Sequence, residues 1–356
     1  MHFIGIDVGG ANIKVVVLDD NGRVVKIIRE YLPLWKVGKT GLEKRMSELA
    51  YELCDNECAV AVCMTAELCD IYESKSEGVK HVVDTILSSF KNALTIRFVT
   101  VNYELVDPEY AKNRPLEVAA ANWAASAWLV SRLCKSCIFA DIGSTTTTII
   151  PVHDGRPLIR GLTDPEKLVY GELVYIGTLR TSVSEIIQEA PYKGHIATIC
   201  REYFATIGDV NLLLGKIRPE DYAVDTADRR GKTIHEAANR LARVLCSSLE
   251  LMNLQEVVEF ARYVYNVAIM RIAQALIQVR TWLASRGVDL SNTPLITAGI
   301  GEFMLQDAGK LAGFENVLSI DDLVKERVRI SPVVPSYGAA LMLYDYIKHR
   351  GMVARS

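Results

Sequence analysis

One pattern occurs twice in this chain and constrains its fold more than any other feature. The N-terminal stretch reads Ile4-Gly5-Ile6-Asp7-Val8-Gly9-Gly10-Ala11-Asn12. An apolar run from Ile13 to Leu18 follows, then a turn at Asp20-Asn21-Gly22-Arg23, then a run from Val24 to Ile28. The middle reads Ile138-Phe139-Ala140-Asp141-Ile142-Gly143-Ser144-Thr145, then Thr146 to Val152, then a turn at His153-Asp154-Gly155-Arg156. Asp7 matches Asp141, Gly9 matches Gly143, and Gly22-Arg23 matches Gly155-Arg156. Each copy reads as strand, tight glycine turn, strand, Asx-Gly turn, strand. One Asp-x-Gly turn is common and often only structural. Two in register, each opening one half of the chain, argue for a duplicated domain. The duplication predicts a cleft between the halves, with Asp7 and Asp141 facing each other across it.

The remaining segments alternate. Helical spacing covers residues 44–54, 79–90, 235–251 and 257–285, while 58–64, 95–101 and 294–298 read as short apolar strands. Residues 116–133 are Ala-rich and apolar on several faces, which predicts one buried helix. Strand-helix alternation argues for an α/β fold. The expected domains are 1–136 plus 331–356, and 137–330 with an irregular insertion around 163–230. The last helix, 339–349, is expected to return to the first domain, because Tyr337-Gly338-Ala339-Ala340 offers small residues for close approach. A long irregular stretch such as 163–230 is either functional or a surface elaboration.

Composition narrows the function classes. Half the residues are apolar and 23% are charged, enough for a sizeable core. The formal net charge of −3 and the lack of a basic patch argue against nucleic acid as a partner. No apolar run approaches the roughly 20 residues that span a bilayer, so no membrane partner is expected. The first residues read directly as a strand with no leader, which predicts a cytoplasmic location. The composition leaves a homo-oligomer open. The eight cysteines are expected to be reduced and buried. Cys134-Lys135-Ser136-Cys137 has metal or redox spacing, but a closed zinc site needs four ligands and no second pair is near, so packing is the favoured reading.

The candidate chemistry lies at the turns. Gly9, Gly10, Asn12 and Gly143 let backbone N–H groups approach a phosphate closely, and Ser144, Thr145 and Thr146 add hydroxyl donors. Alternate members of that hydroxyl run must point away from a ligand. Asp7 and Asp141 end their strands, and a facing carboxylate pair suits a hydrated Mg²⁺ that also takes ligand phosphates. The lesser alternative is that both merely cap turns. Gly299 and Gly301 follow a strand and precede a helix, a context for a ligand at a helix N-terminus. Glu67 follows a buried strand and reads as a general base or a plain loop carboxylate. Lys14 and Lys75 read as solvated strand and loop residues.

These residues resemble the ASKHA superfamily of acetate and sugar kinases, Hsp70 and actin. Asp7-x-Gly9-Gly10 looks like its first phosphate motif, Asp141-x-Gly143-Ser144-Thr145 its second, and Ala298-Gly299-Ile300-Gly301 its adenosine motif. The implied fold is a duplicated actin-like/ribonuclease H-like ASKHA fold with an interdomain cleft. Within the superfamily the chain resembles the hydantoinase/oxoprolinase family over nearly its whole length. The matching runs are Met64-Thr65-Ala66-Glu67-Leu68, Lys75-Ser76-Glu77-Gly78-Val79, Asp141-Ile142-Gly143-Ser144-Thr145-Thr146-Thr147, Gly171-Glu172-Leu173-Val174-Tyr175 and Val224-Asp225-Thr226-Ala227-Asp228. The last two are specific to a branch associated with methanofuran biosynthesis in archaea.

That resemblance implies a transferase. It would join an aminomethylfuran-methyl diphosphate to γ-glutamyltyramine, forming an aryl ether and releasing diphosphate. Its partners are then a phosphorylated small molecule and an amine/phenol acceptor, with Mg²⁺ as the implied cofactor. Asp7, Asp141 and Glu67 would be the catalytic residues, with Asp141 or Glu67 as base and Asp7 and Asp141 as metal ligands. One position departs from the family, which usually continues the second motif as Thr-Thr-Thr-Asp; here Thr148 stands in place of that Asp. Two other readings stay open. One is an ATP-using kinase or amide-ring hydrolase. The other is a ligand-binding protein without catalysis.

Overall fold

The computed structural model describes residues 1–54 and 57–353. Two sheets organise them. The first contains β1 (His2–Val8), β2 (Asn12–Leu18), β3 (Val24–Tyr31), β4 (Cys58–Met64), β5 (Thr95–Val99) and β6 (Leu105–Val106), in the order β3-β2-β1-β4-β5-β6. The second begins with β7 (Cys137–Ile142), β8 (Thr147–His153), β9 (Arg156–Pro157) and β10 (Leu173–Val174). A separate hairpin, β11 (Glu189–Tyr192) and β12 (His195–Thr198), lies in the insertion. The second sheet is completed by β13 (Leu295–Gly299) and β14 (Val317–Ser319), in the order β10-β8-β7-β13-β14, with β9 on β8.

The repeat is written into the pairing. β1 and β2 are antiparallel with Asp7 opposite Lys14; β7 and β8 are antiparallel with Asp141 opposite Thr148. The N–H of Gly9 donates to the carbonyl of Asn12 at 2.9 Å, and the N–H of Gly143 donates to that of Thr146 at 2.9 Å. Both Asx-Gly turns put glycine in the left-handed region, with φ of 74° at Gly22 and 70° at Gly155. β4 runs parallel to β1, and β13 parallel to β7. Their carboxyl ends carry the turns and Thr65, Glu67 and Gly299 toward one crevice, where open α/β sheets bind ligands. β1 and β4 are buried almost throughout, as strands covered on both faces must be.

The C-terminal helix, Val334–Val353, returns to the first sheet and lies on β1, β2 and β4 and against the helix Asn122–Leu133. Two glycines set that approach. A Cβ at Gly5 would lie 2.0 Å from the Ser336 carbonyl oxygen, and one at Gly338 would lie 2.4 Å from that of Ala125. Both obstructions are backbone, so neither can swing aside. Gly338→Val should cost about 1–3 kcal/mol by overpacking, read as a lower melting temperature in calorimetry. An unchanged melt would show that the helix is not held this closely.

Several expected elements shift. Residues 44–54 belong to a helix that starts at Leu34 and runs to Leu53, with a kink at Gly38 where φ is 67°. The expected helix 116–133 is broken into Pro115–Val118 and Asn122–Leu133, with Ala120 at φ 51° between them. Alanine content carries no signal for such a left-handed break. The helix expected over 235–251 spans Ile234–Val244 and ends before Cys246, whose φ is 51°. The helix expected over 257–285 starts earlier, at Leu254, because Asn253 caps it by accepting from the N–H of Glu256 at 3.0 Å. The cysteines are not all reduced and buried. Cys54 ends one helix and Cys58 opens β4, their Cα atoms stand 5.5 Å apart, and they form a disulfide. Cys246 is exposed.

The insertion has its own anchor. Arg240 is fully buried, and its guanidinium donates to Asp209 at 2.8 Å and to Asp228 at 3.1 Å. A buried cation needs such partners. They fix the loop that carries Val224 and Asp225.

Candidate active site

A cavity of about 830 Å³ lies at the carboxyl ends of the two sheets. The two glycine turns meet there, and the Asn12 amide donates to Ser144 Oγ at 3.2 Å. Gly9, Gly10, Gly143, Thr145 and Thr146 line it with them. Thr147 points away and donates to the carbonyl of Ile176 at 2.7 Å, as the strand period requires. Gly177 permits the second turn to sit this way, since a Cβ there would lie 2.5 Å from the backbone of Ser144. Gly299 also lines the cavity, with φ of 98° and no space for a side chain: a Cβ would lie 2.6 Å from Asp141 Oδ1. Gly301 is not part of the lining; it backs onto Thr178, whose hydroxyl a Cβ would meet at 2.1 Å.

Asp7 and Asp141 both face this cavity. Burial raises the pKa of Asp7 against the pull of Lys14, whose ammonium lies 3.7 Å away. Asp7 Oδ1 is buried without a hydrogen-bond partner. Burial pushes Asp141 up to about 6, with Lys14 lowering it and Asp7 raising it. An orphaned buried carboxylate oxygen beside a second carboxylate is a donor set that fits one hard cation sharing phosphate oxygens. Among the described residues no group of three or more His, Cys, Asp or Glu could hold a metal by itself. Thr148 lines the cavity opposite Asp141 in the strand pair. The family's Asp at that position would thus stand beside Asp141.

Glu67 lies on the short turn Ala66–Leu68 after β4 and is only 1% exposed. Neither carboxylate oxygen has a hydrogen-bond partner. Burial pushes its pKa up to about 7, while the N–H groups of Glu67 and Ala120 and the Lys75 charge pull the other way. Gly78 makes room for it, since a Cβ there would lie 2.6 Å from Glu67 Cα.

Lys14 and Lys75 are not solvated bystanders. Lys14 pairs with Asp7, and Lys75 opens the helix Lys75–Ser89 and reaches across to Asp164 at 2.9 Å. On the other flank Tyr31 and Lys36 donate to Asp225 at 2.7 and 2.6 Å, and the Arg180 guanidinium lies 4.4 Å over the Trp35 ring. The first sheet's half thus grips the insertion on both flanks of the cavity.

The sequence reading missed Lys167, Trp123, Arg180 and Trp35, all of which line the cavity. Lys167 is 1% exposed with an unpartnered Nζ, which sits 3.5 Å from the centroid of the Trp123 ring. Its only sequence signal was its place just ahead of Gly171-Glu172-Leu173-Val174-Tyr175. Lys167 lies on the helix Asp164–Tyr170, and Glu172 just beyond it is fully buried and accepts from the N–H groups of Arg160 and Gly161 just before it, each at 2.9 Å, which ties the two ends of that helix together.

Known proteins resemble the chain in sequence and in fold. The sequence model of the hydantoinase/oxoprolinase family matches residues 59–324. A protein of Methanocaldococcus jannaschii is 35% identical over 341 residues, covering 96% of this chain and 97% of that one. It is named as the synthase of a furanyl-methanamine that carries a γ-L-glutamylaminoethyl-phenoxymethyl group. A protein of Methanococcus vannielii with the same name is 35% identical over 211 residues, covering 59% of this chain and 91% of that one. Among solved structures, nucleotide-free acetone carboxylase superposes with a TM-score of 0.59 at 11% identity, over 95% of this chain and 69% of that one. That likeness is one of fold.

Proposed function

The chain belongs to the hydantoinase/oxoprolinase family, and from that premise we propose that it is the synthase of the furanyl-methanamine ether in methanofuran biosynthesis. It condenses an aminomethylfuran-methyl diphosphate with γ-glutamyltyramine and releases diphosphate. The near full-length likeness to the M. jannaschii synthase carries this reading. The cavity supports it, because two glycine turns meet beside buried, partly unpaired carboxylates.

The residues divide the work. Backbone N–H groups around Gly9, Gly10 and Gly143, with the Ser144, Thr145 and Thr146 hydroxyls, receive the diphosphate. Asp7 and Asp141 would hold Mg²⁺, which when bound neutralises charge on the leaving diphosphate. Lys14, opposite Asp7, adds a fixed positive charge. The furan ring activates the methylene carbon by sharing positive charge. The phenol, with a reference pKa near 10, must lose its proton as the ether forms. Among the carboxylates that line the cavity, burial pushes Asp141 up to about 6 and Glu67 up to about 7, values that suit a base better than an ordinary carboxylate does.

Incubation of the protein with Mg²⁺, the furan diphosphate and γ-glutamyltyramine should release diphosphate, followed by phosphorus NMR, with one ether formed per diphosphate by mass spectrometry. Release of orthophosphate from ATP, with no ether formed, would replace this reading with the ATP-using one.

A further inference from the structure

We propose that Lys167 is the base that takes the acceptor's phenolic proton, and that the Trp123 ring receives the ammonium so formed. The inference rests on the transferase reading above and assigns a residue that the sequence motifs do not. Three observations carry it. The Lys167 amine lines the cavity, is buried, and has no hydrogen-bond partner. Buried amines are normally paired, so an unpaired one facing a cavity is placed for something that enters it. The amine stands 3.5 Å over the Trp123 ring, and Trp123 is itself held edge-on by Tyr103 at 5.8 Å. A ring face accepts no lone pair but stabilises a cation. It therefore leaves the neutral amine free to accept a proton and favours the protonated product.

The charges around Lys167 are few. Burial lowers its pKa to about 7, against Glu172 and, on its own helix Asp164–Tyr170, Asp164, which both raise its affinity for a proton. Asp164 is already engaged by Lys75, and Glu172 by Arg160. An amine of that basicity is about half unprotonated at neutral pH and largely so above it, as a base must be.

The step balances. The phenol O–H gives its proton to the Lys167 amine while its oxygen bonds to the donor's methylene carbon. The bond from that carbon to the diphosphate oxygen breaks, and its electron pair leaves with diphosphate. A neutral amine suits this better than Glu67 or Asp141. It adds no negative charge beside the diphosphate before reaction, and it becomes positive as the leaving group becomes more negative.

The test uses the full chain with the furan diphosphate and γ-glutamyltyramine. Lys167→Met should lower kcat by about 10²–10⁴-fold, the usual worth of a positioned base, with KM for the donor little changed. It should melt no lower than wild type, because it removes an unpartnered buried amine. Lys167→Arg keeps a positive charge but cannot accept a proton at neutral pH, so it should be as slow as Lys167→Met. Lys167→Ala should be partly rescued by methylamine, and more strongly by more basic small amines. Near-normal turnover by Lys167→Met or by Lys167→Arg overturns the assignment, as does an inactive Lys167→Ala that no small amine restores. Wild-type protein that releases no diphosphate would overturn the transferase reading itself, whereas active wild type with active Lys167→Met removes only the base.

Discussion

Asp141→Asn should abolish most turnover while leaving the fold intact. Asp141 ends β7 beside the Gly143 turn and faces the cavity. The amide keeps the volume of the carboxyl, which matters because Gly299 leaves no slack next to Oδ1. What is lost is negative charge, and with it the hold on the Mg²⁺ proposed to sit there. If that ion offsets charge on the departing diphosphate, the transition state suffers more than the ground state, so kcat falls rather than KM rising. Losing one such electrostatic contact typically costs about 10²–10³-fold.

Asp7→Asn should behave alike, because the repeat gives it the equivalent place opposite Lys14. The double variant should lose less than the product of the two, since both act through one ion. Thr148→Asp is the complementary change. It places a carboxylate across the strand pair from Asp141. A gain in Mg²⁺ affinity is expected, read by titration calorimetry. Near-normal turnover of Asp141→Asn at saturating Mg²⁺ would take Asp141 out of the chemistry and leave the duplication a purely structural one.

How far the site was legible in the sequence follows from what each part depends on. The two Asp-x-Gly turns were legible because their function is local: backbone direction at Gly9 and Gly143 is set by residues within the same hairpin. Their meeting, through Asn12 and Ser144, followed from the repeat alone. Lys167 was not legible, because its character comes from burial against Trp123, which lies more than forty residues away on another helix. Lys14 and Lys75 were misread for the same reason, since their partners Asp7 and Asp164 come from a neighbouring strand and from the insertion. The runs that mark the branch make physical sense only in the fold. Glu172 fixes the helix that carries Lys167, Asp228 pairs with buried Arg240, and Asp225 reaches back to Tyr31 and Lys36. The break at Ala120 had no sequence signal, because a left-handed alanine is imposed by its surroundings rather than by its own preference.

Glu67→Gln should make the unliganded protein more stable at neutral and alkaline pH, and not in acid. Glu67 is buried with both oxygens unpaired, and its pKa in the folded chain stands at about 7 against a usual 4.5. Its folded value is raised, so the folded state holds its proton more tightly than the unfolded chain does. The stability it contributes is therefore complete below about pH 4.5 and is lost as pH rises through about 7. Above that point the wild type carries an unpaired buried charge, and a shift of this size corresponds to about 3 kcal/mol. Glutamine never carries the charge. The variant should match wild type at pH 4.5 and melt about 4 °C higher at pH 8, given the entropy of unfolding of a chain this long. Equal melting temperatures at both pH values would mean that Glu67 has a partner in solution and is not held open. The same measurement bears on its role. With Lys167 taking the phenol's proton, an open carboxylate in this cavity is free to meet the primary ammonium of the furan donor. Aminomethylfuran should then raise the pH 8 melting temperature of wild type and leave that of Glu67→Gln unmoved. Such a charge, destabilising until the substrate supplies its counterion, would be the trade of stability for function expected of an active site.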